Sequence, residues 1–263
     1  MQVSSLYIYP IKSLSGIELK ESNVSNRGLA LDRRWVLVDE QNYHVTQREM
    51  PEMVHLKVAL NDSSLKVSDS RNGESITFST KNTEGDNELV KVWDDEFYAA
   101  EVSKKVSLWF SETLKKQVRL MFQPDSSSRL IDERYAHDGE IVSNADGYPI
   151  LIISEESLAD LNARLTEPVE MLRFRPNIVL SGLEPFGEDS LGEIKIGDAE
   201  ITGVKNCSRC IMVTNKPDGS ARDKEPLKTL AQYRRDGKKV LFGRNFLIAK
   251  EGMIKVGMDV KVL

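Results

Sequence analysis

Both cysteines of the chain lie in one short stretch, where Cys207 and Cys210 flank Arg209. A thiolate is a soft ligand that suits a metal whose other ligands are sulfur or oxo groups. A guanidinium beside it would stabilise the thiolate and would present forked donors to an anion. The stretch therefore suggests metal or anion chemistry at a thiolate, provided that other groups converge on it.

Three other interpretations of the Cys-x-x-Cys spacing stay open on these residues alone. A structural zinc site needs two more ligands, and His44, His55 and His137 are not paired at ligand spacing. A redox dithiol should open a helix after a strand, whereas the apolar residues 211–213 indicate continued β structure. The third interpretation is a pair of buried cysteines that pack as small apolar side chains.

Polar and basic residues recur where predicted strands begin or end. Lys12 and Ser13 follow the first strand, Arg33 precedes the next, and Arg175 and Asn177 precede a later one. Each of them alone is typical of a solvated residue at a strand end. Their joint occurrence suggests a shared site, but spacing does not show that they converge.

Most of the chain has the pattern of short β-strands. Apolar and polar residues alternate in segments separated by polar turns, among them 5–9, 34–38, 56–60, 64–68 and 89–93. Several strands at spacings of about ten residues are typical of a barrel or a sandwich. Two hairpins are also predicted, one over residues 192–204 with a turn at Gly197 and one over residues 253–263 around Gly257.

Three helices are predicted between these strands, over residues 101–115, 154–165 and 225–237. The second begins with Ser154 as N-cap and has acidic residues in its first turn, which the helix dipole favours. The third has Pro226 near its start and Gly237 at its end. The chain is therefore predicted to be mainly β with a few helices (α+β), divided into a module of residues 1–100 and a larger one of residues 101–263.

Composition excludes several classes of function. The formal net charge of −5 argues against nucleic acid as a partner, because the long-range field would repel a polyanion. No apolar run is long enough for a membrane span, and the N-terminus lacks the features of a signal peptide, so a cytoplasmic location is expected. Two cysteines do not supply the four thiolates of an iron–sulfur cluster, so any electrons should arrive from outside.

Six segments together resemble the MOSC family, specifically its two-part proteins with an N-terminal β-barrel region. This group includes the mitochondrial amidoxime reducing components and their bacterial YcbX-type relatives. The matching segments, in chain order, are YPIKSLSG, LDRRWVLVD with VTQREMP, SEESLADLNARL with FRPNIVLSG, NCSRC, EPLKTLAQYR, and LFGRNFLIAKEGMIKVGMDVKVL. The resemblance runs nearly end to end, and it implies a β-barrel-like N-terminal module packed on a MOSC β-barrel domain.

The resemblance also implies a molybdenum cofactor, a pterin whose dithiolene holds the metal. In the family the second cysteine of the motif is the protein ligand of the metal, which here is Cys210. Cys207 has no ligand role in the family, and we expect a neutral thiol packed near the site. The other residues that match cofactor contacts are Lys12, Ser13, Arg33, Arg175, Asn177, Ser208 and Arg209, together with Asp146 and Asn245.

The activity implied is the reduction of N-hydroxylated compounds, such as amidoximes, hydroxylamines and N-hydroxylated bases, to amines or amidines. Cys210 would anchor the metal, and Asp146 is the candidate for a catalytic acid. The chain ends after the last MOSC strand, where some bacterial relatives continue into a ferredoxin-like domain, so a separate electron-donor protein, a ferredoxin- or flavoprotein-type reductase, is expected. Pyridoxal phosphate is not expected.

Two features leave room for other outcomes. The MOSC name derives from cofactor sulfurases, so the alternative is a module that carries molybdenum cofactor or sulfur without turnover. The loop after Cys210 usually reads close to Thr-Val-Asp-Pro-Asp-Thr-Gly in the family, whereas residues 214–220 here read Thr-Asn-Lys-Pro-Asp-Gly-Ser. This departure leaves the metal ligand unchanged but puts substrate preference in question.

Overall fold

The structure is a computed structural model that describes residues 1–136, 139–216, 218–219 and 222–263. The strands in these ranges are β1 (Gln2–Ile8), β2 (Ile17–Leu19), β3 (Glu21–Ser25), β4 (Gly28–Leu29), β5 (Trp35–Val38), β6 (Leu56–Asn61), β7 (Ser64–Asp69), β8 (Ser75–Ser79), β9 (Asn87–Val92), β10 (Asp95–Glu101), β11 (Arg119–Phe122), β12 (Ile150–Ser154), β13 (Ile178–Ser181), β14 (Glu193–Ile196), β15 (Ala199–Ser208), β16 (Arg235–Asp236), β17 (Lys239–Lys250), β18 (Gly252–Lys255) and β19 (Val260–Val262). The α-helices are α1 (Lys104–Leu114), α2 (Glu155–Ala163) and α3 (Leu227–Tyr233). The prediction of a mainly β chain with a few helices is confirmed.

The strands form one large sheet and three small ones. The main sheet has the order β19–β14–β15–β17–β12–β13–β1–β2, with β16 attached to β17. The small sheets have the orders β5–β11–β10–β9, β18–β3–β4 and β6–β7–β8. The main sheet thus takes β1 and β2 from the beginning of the chain, so the two ends of the sequence share one sheet.

The main sheet is covered on both faces, as the sequence of β12 shows. Ile150 and Ile152 pack with Phe246 in one cluster, and Leu151 and Ile153 pack with other residues in a second cluster. Because successive side chains of a strand point to opposite faces, this uninterrupted apolar strand serves two cores. The second core lies under α2 and α3.

A third core belongs to the N-terminal part of the chain. Trp35 and Leu37 of β5 pack there with strands β6 and β7 and with Phe110 of α1. Helix α1 begins at its N-cap Ser103, whose side chain accepts a hydrogen bond from the Val106 backbone, and ends at Lys115 in a left-handed conformation. The division predicted between residues 100 and 101 stays a prediction.

Topology brings several strand ends to one edge of the main sheet. β1 is antiparallel to β13, with Leu6 opposite Ile178, so β1 ends where β13 begins. β12 is parallel to β13 and begins at the same edge. β17 is antiparallel to β12 and places Asn245 opposite Leu151. The segments before β12, before β13 and after β1 therefore emerge side by side.

Two predictions about local structure were confirmed, and in both the hydrogen-bonded residues are close together in sequence. Ser154 caps α2 by accepting a hydrogen bond from the Ser157 backbone. The hairpin of residues 192–204 forms from β14 and β15, with Gly197 in its turn at a φ of +58°, a conformation that glycine adopts without steric cost.

Three local predictions were wrong, and distant pairing is the reason for the first of them. The C-terminal segment is no hairpin, since β18 pairs with β3 and β19 pairs with β14. Helix α3 ends at Tyr233, and Gly237 instead lies in the turn between the paired strands β16 and β17. Residues Ile211–Thr214 form a single turn of 3₁₀ helix in place of the expected β structure.

No helix among the described residues is both long and apolar enough to cross a membrane.

Candidate functional site

One cleft of about 290 Å³ opens at the edge of the main sheet where these strand ends meet. The structure places all ten residues singled out in the sequence in its lining, which are Lys12, Ser13, Arg33, Asp146, Arg175, Asn177, Ser208, Arg209, Cys210 and Asn245. They come from six separate parts of the chain, so tertiary structure supplies the convergence that spacing did not show. Their roles toward a cofactor stay predictions.

The two cysteines have different surroundings within this cleft. Cys210 follows the end of β15 and directly precedes the 3₁₀ turn. Its sulfur accepts a hydrogen bond from Nη2 of Arg48 at 3.4 Å. Cys207 lies on β15, packs against the apolar cluster under α2 and α3, and accepts from Nη1 of Arg209 at 3.1 Å. Each thiol therefore has its own arginine, and only Cys210 lies in the loop.

Asp146 holds together the cations nearest Cys210. Its Oδ1 accepts from Nζ of Lys12 at 2.7 Å, and its Oδ2 accepts from Nη2 of Arg48 at 2.9 Å. Desolvation by the surrounding protein raises the pKa of Asp146. The positive charges of Lys12 and Arg48 lower it by more and hold the pKa of Asp146 well below its usual range. The side chain is 57% exposed because it faces the open cleft.

This environment revises the role expected for Asp146. A general acid must carry a proton near the working pH, whereas this carboxyl is ionised there. Burial lowers the pKa of Lys12 to about 8, although Asp146 acts in the opposite direction. Asp146 is therefore suited to orienting Lys12 and Arg48, and the protonation of Lys12 changes near pH 8.

Two further guanidiniums lie over one buried ring. The Cζ atoms of Arg33 and Arg175 lie 4.4 and 4.1 Å from the ring centroid of Tyr9, which is 1% exposed. Arg33 also donates to Oδ1 of Asn177 at 3.1 Å, and Arg175 donates to the carbonyl of Leu14 at 2.7 Å. Burial, followed by repulsion from Arg33, lowers the pKa of Arg175 to about 10.

The backbone at these positions is unusual for side-chain-bearing residues. Ser13, Arg33 and Arg175 have φ angles of 70°, 48° and 56°, in the left-handed region. Such conformations cost about 1–3 kcal/mol each and persist at functional sites where the surrounding structure determines them. All three residues line the cleft, so this strain coincides with the predicted site.

Two arginines of the site, one partly buried and one buried, were absent from the residues selected in the sequence. Arg48 lies in the segment VTQREMP, so the family resemblance covered it, although no strand-end context marked it. Arg129 is 3% exposed and donates to the carbonyls of Ser143, Ala145 and Asp146. It thereby fixes the loop that carries Asp146, and no motif in the sequence indicated this.

The loop after Cys210 is tied to the N-terminal part of the chain. Asn215 donates to Oε1 of Gln47 at 3.1 Å, and Gln47 donates to the carbonyl of Ser13. Arg222 donates both to Asn215 and to the carbonyls of Gln47 and Arg48. The side chain at the family's valine position is therefore part of a polar network here. Pro217 and Ser220 of this loop lie outside the described residues.

His137 also lies outside the described residues. Within the ranges that the structure describes, no three His, Cys, Asp or Glu side chains are grouped so as to hold a metal ion. A zinc site needs at least three protein ligands. A metal that is already bound by an organic cofactor needs fewer ligands from the protein.

Comparison with known proteins agrees with this arrangement. Residues 1–117 match the MOSC N-terminal beta barrel domain, and residues 139–261 match the MOSC domain. The chain is 35% identical to mitochondrial amidoxime-reducing component 1 of Homo sapiens, over 99% of this chain and 82% of that protein. The chain belongs to the MOSC family. The resemblance expected from the six segments is confirmed, as is the β-rich N-terminal module.

Other relatives of this MOSC protein fall into two groups. Mitochondrial amidoxime reducing component 2 of Rattus norvegicus is 35% identical over 97% of this chain and 81% of its own length. Molybdenum cofactor sulfurase of Oryza sativa subsp. japonica is 32% identical over 92% of this chain, but the match spans only 32% of that longer protein. The second group relates the chain to molybdenum-cofactor proteins. The predicted cytoplasmic location stays a prediction, since the first group is named as mitochondrial.

Proposed function

We propose that this MOSC protein binds molybdenum cofactor and uses it to reduce N-hydroxylated compounds. The observation that carries the proposal is the convergence of Cys210 with four basic residues, Lys12, Arg33, Arg175 and Arg209, on one cleft. The cations come from both parts of the chain. Their arrangement suits an anionic cofactor with a soft metal at one end, in a protein whose overall charge is negative.

The groups present fit such a cofactor. Nε of Arg209 and Oδ1 of Asn144 belong to cleft residues and are buried without a hydrogen-bond partner among the described residues. Buried polar atoms normally have partners, so these two favour a polar ligand. The amides of Asn177 and Asn245 suit the edges of a pterin, and the guanidiniums suit a phosphate.

Each residue then has a defined task. Cys210 holds the metal through its sulfur, and Arg48 and Asp146 keep that side of the cleft in place. Arg33, Arg175 and Arg209 bind and orient the anionic and pterin parts. When bound, the cofactor supplies the two-electron chemistry by which an N–OH group, with two protons, becomes N–H and water.

The substrate class follows from the amidoxime-reducing relatives and is part of the proposal. The electrons come from a separate donor protein, of the ferredoxin or flavoprotein-reductase type, since two cysteines do not supply an iron–sulfur cluster.

The test begins with protein made in a host that synthesises molybdenum cofactor. We expect molybdenum in the purified wild type, and conversion of benzamidoxime to benzamidine with a chemical reductant. Cys210→Ser should lose the metal and the activity, whereas Cys207→Ser, three residues away, should keep both. Equal loss from both substitutions would instead favour a dithiol, and absence of molybdenum from the wild type would refute the proposal.

The sulfurase relatives support a second candidate, a module that carries molybdenum cofactor or sulfur without turnover. The same preparation separates the two candidates. Wild-type protein that holds molybdenum in full but does not turn over benzamidoxime or other N-hydroxylated compounds would favour the carrier. Turnover that depends on Cys210 would favour the reductase.

A further inference from the structure

Arg48 contacts two residues that line the cleft. Its Nη2 donates to the sulfur of Cys210 at 3.4 Å and to Oδ2 of Asp146 at 2.9 Å. Arg48 itself is not part of the lining. It therefore contacts the predicted metal ligand and the carboxylate of Asp146 without itself lining the cleft.

The side chain of Arg48 is held on an aromatic platform. Its Cζ lies 4.5 Å from the ring centroid of Trp93, whose own Nε1 donates to Asp146 at 3.4 Å. The ring of His44 meets Trp93 edge-on at 4.6 Å, and Nδ1 of His44 accepts from the Trp93 backbone at 3.3 Å. Cation–π contact and ion pair together restrict the guanidinium to one orientation.

The backbone of Arg48 is fixed as well. Arg222 donates to its carbonyl at 2.9 Å, and Arg222 belongs to the segment that follows Cys210. Arg48 is thus connected to the cysteine loop through both its side chain and its main chain. Burial lowers the pKa of Arg48, but the nearby Asp146 and Cys210 raise it by more, so the net change is upward.

We propose that Arg48 is the positioning residue of the metal site, setting the direction and the electron density of the Cys210 sulfur. The inference rests on the proposed function, because it assumes that this sulfur binds the metal. A hydrogen bond donated to a metal-bound sulfur withdraws electron density from it and raises the reduction potential. Residues that orient a ligand in this way typically contribute roughly 10- to 100-fold in metal affinity or activity.

The experiment compares Arg48→Gln and Arg48→Lys with wild type and with a matched control, Arg164→Gln. Arg164 makes the same two kinds of contact, an ion pair with Asp160 at 2.9 Å and a ring contact with Tyr233 at 4.2 Å, but does not line or back the cleft. Each protein is loaded with cofactor, dialysed and assayed for molybdenum. The Mo(V) electron paramagnetic resonance spectrum and the midpoint potential are then recorded.

For Arg48→Gln we expect molybdenum retention roughly 10- to 100-fold weaker, a lower midpoint potential and an altered Mo(V) spectrum. Arg48→Lys keeps the charge but lacks the planar fork, so it should recover retention in part while the spectrum stays altered. Arg164→Gln should match wild type in all three measurements. The lysine variant provides the same readings if Arg48→Gln does not fold.

Two outcomes have distinct meanings. Arg48 variants that match wild type in spectrum and potential, with molybdenum bound, would overturn this inference and leave the proposed function standing. Wild-type protein that never binds molybdenum would overturn the proposed function, and this inference with it.

Discussion

Tyr9 provides a test of how the cleft arginines are held. The ring lies under Arg33 and Arg175, and its hydroxyl is buried without a hydrogen-bond partner among the described residues. The ring and the hydroxyl should therefore have opposite effects on stability, and two substitutions separate them. Tyr9→Phe removes only the hydroxyl, and Tyr9→Leu removes the ring as well.

The magnitudes follow from these contacts. A largely desolvated cation–π contact contributes about 1–2 kcal/mol, so the loss of two contacts should leave the free energy of unfolding of Tyr9→Leu about 2–4 kcal/mol below that of Tyr9→Phe. A buried hydroxyl without a partner costs about 1–3 kcal/mol in desolvation. Tyr9→Phe should therefore be as stable as wild type or more stable. The hydrogen bond from the Tyr9 backbone to Asp32, at 2.8 Å, is retained in both variants.

The assay is urea-induced unfolding of the cofactor-free proteins, followed by molybdenum retention in the loaded ones. We expect Tyr9→Leu to lose molybdenum faster than Tyr9→Phe, because Arg33 and Arg175 lose their shared support. A cost above about 1 kcal/mol for Tyr9→Phe would mean that the hydroxyl has a partner, contrary to our reasoning. Equal stability of the two variants would refute the ring contacts as the source of stabilisation.

Other predictions concern protonation, the variant loop and close packing. Lys12 should titrate near pH 8 in a side-chain NMR titration of the apo-protein, and its signal should vanish in Lys12→Arg. The pKa of Lys12 in the folded protein lies below the ordinary value of 10.5, so the unfolded chain binds more protons between pH 8 and 10.5. The free energy of unfolding should therefore increase as the pH rises through this range. Asn215→Val leaves Gln47 without its 3.1 Å donor, so urea unfolding should show a loss of about 1–3 kcal/mol, and an unchanged midpoint would contradict the network. Gly203→Ala would bring a Cβ to 2.2 Å from a backbone carbonyl and should cost about 1–3 kcal/mol by thermal unfolding, whereas Gly192→Ala, with no atom within 4 Å, should be nearly neutral.

Much of the secondary structure is predictable from local pattern, because its causes lie within a few residues. The alternation in residues 64–68 becomes β7, and the capping preference of Ser154 becomes the start of α2. The pattern fails where pairing is distant. The segment around Gly257 has the alternation of a hairpin, but its two strands pair with β3 and β14, which precede it by more than 200 and about 60 residues.

The candidate site, too, is predictable from the sequence only in part. Cys210, Arg175 and Asn177 are recognisable because they belong to motifs whose residue types suit a soft metal and an anion. Arg129 belongs to no such motif, and its role depends on three carbonyls of residues 143–146 that only folding brings within reach. Asp146 is visible in the sequence, yet its ion pairs join it to Lys12 and Arg48, which lie far away along the chain.

Residue types and short motifs were enough to indicate the family, the mainly β character and the thiol predicted to bind the metal. These properties depend on residue type and short-range spacing, which a linear chain displays directly. Only the tertiary structure brought the ten residues to one cleft, set Arg48 against the sulfur of Cys210 and placed Asp146 between Lys12 and Arg48. Distances and electrostatic interactions between remote segments produce these properties, and they exist only after the strands have paired.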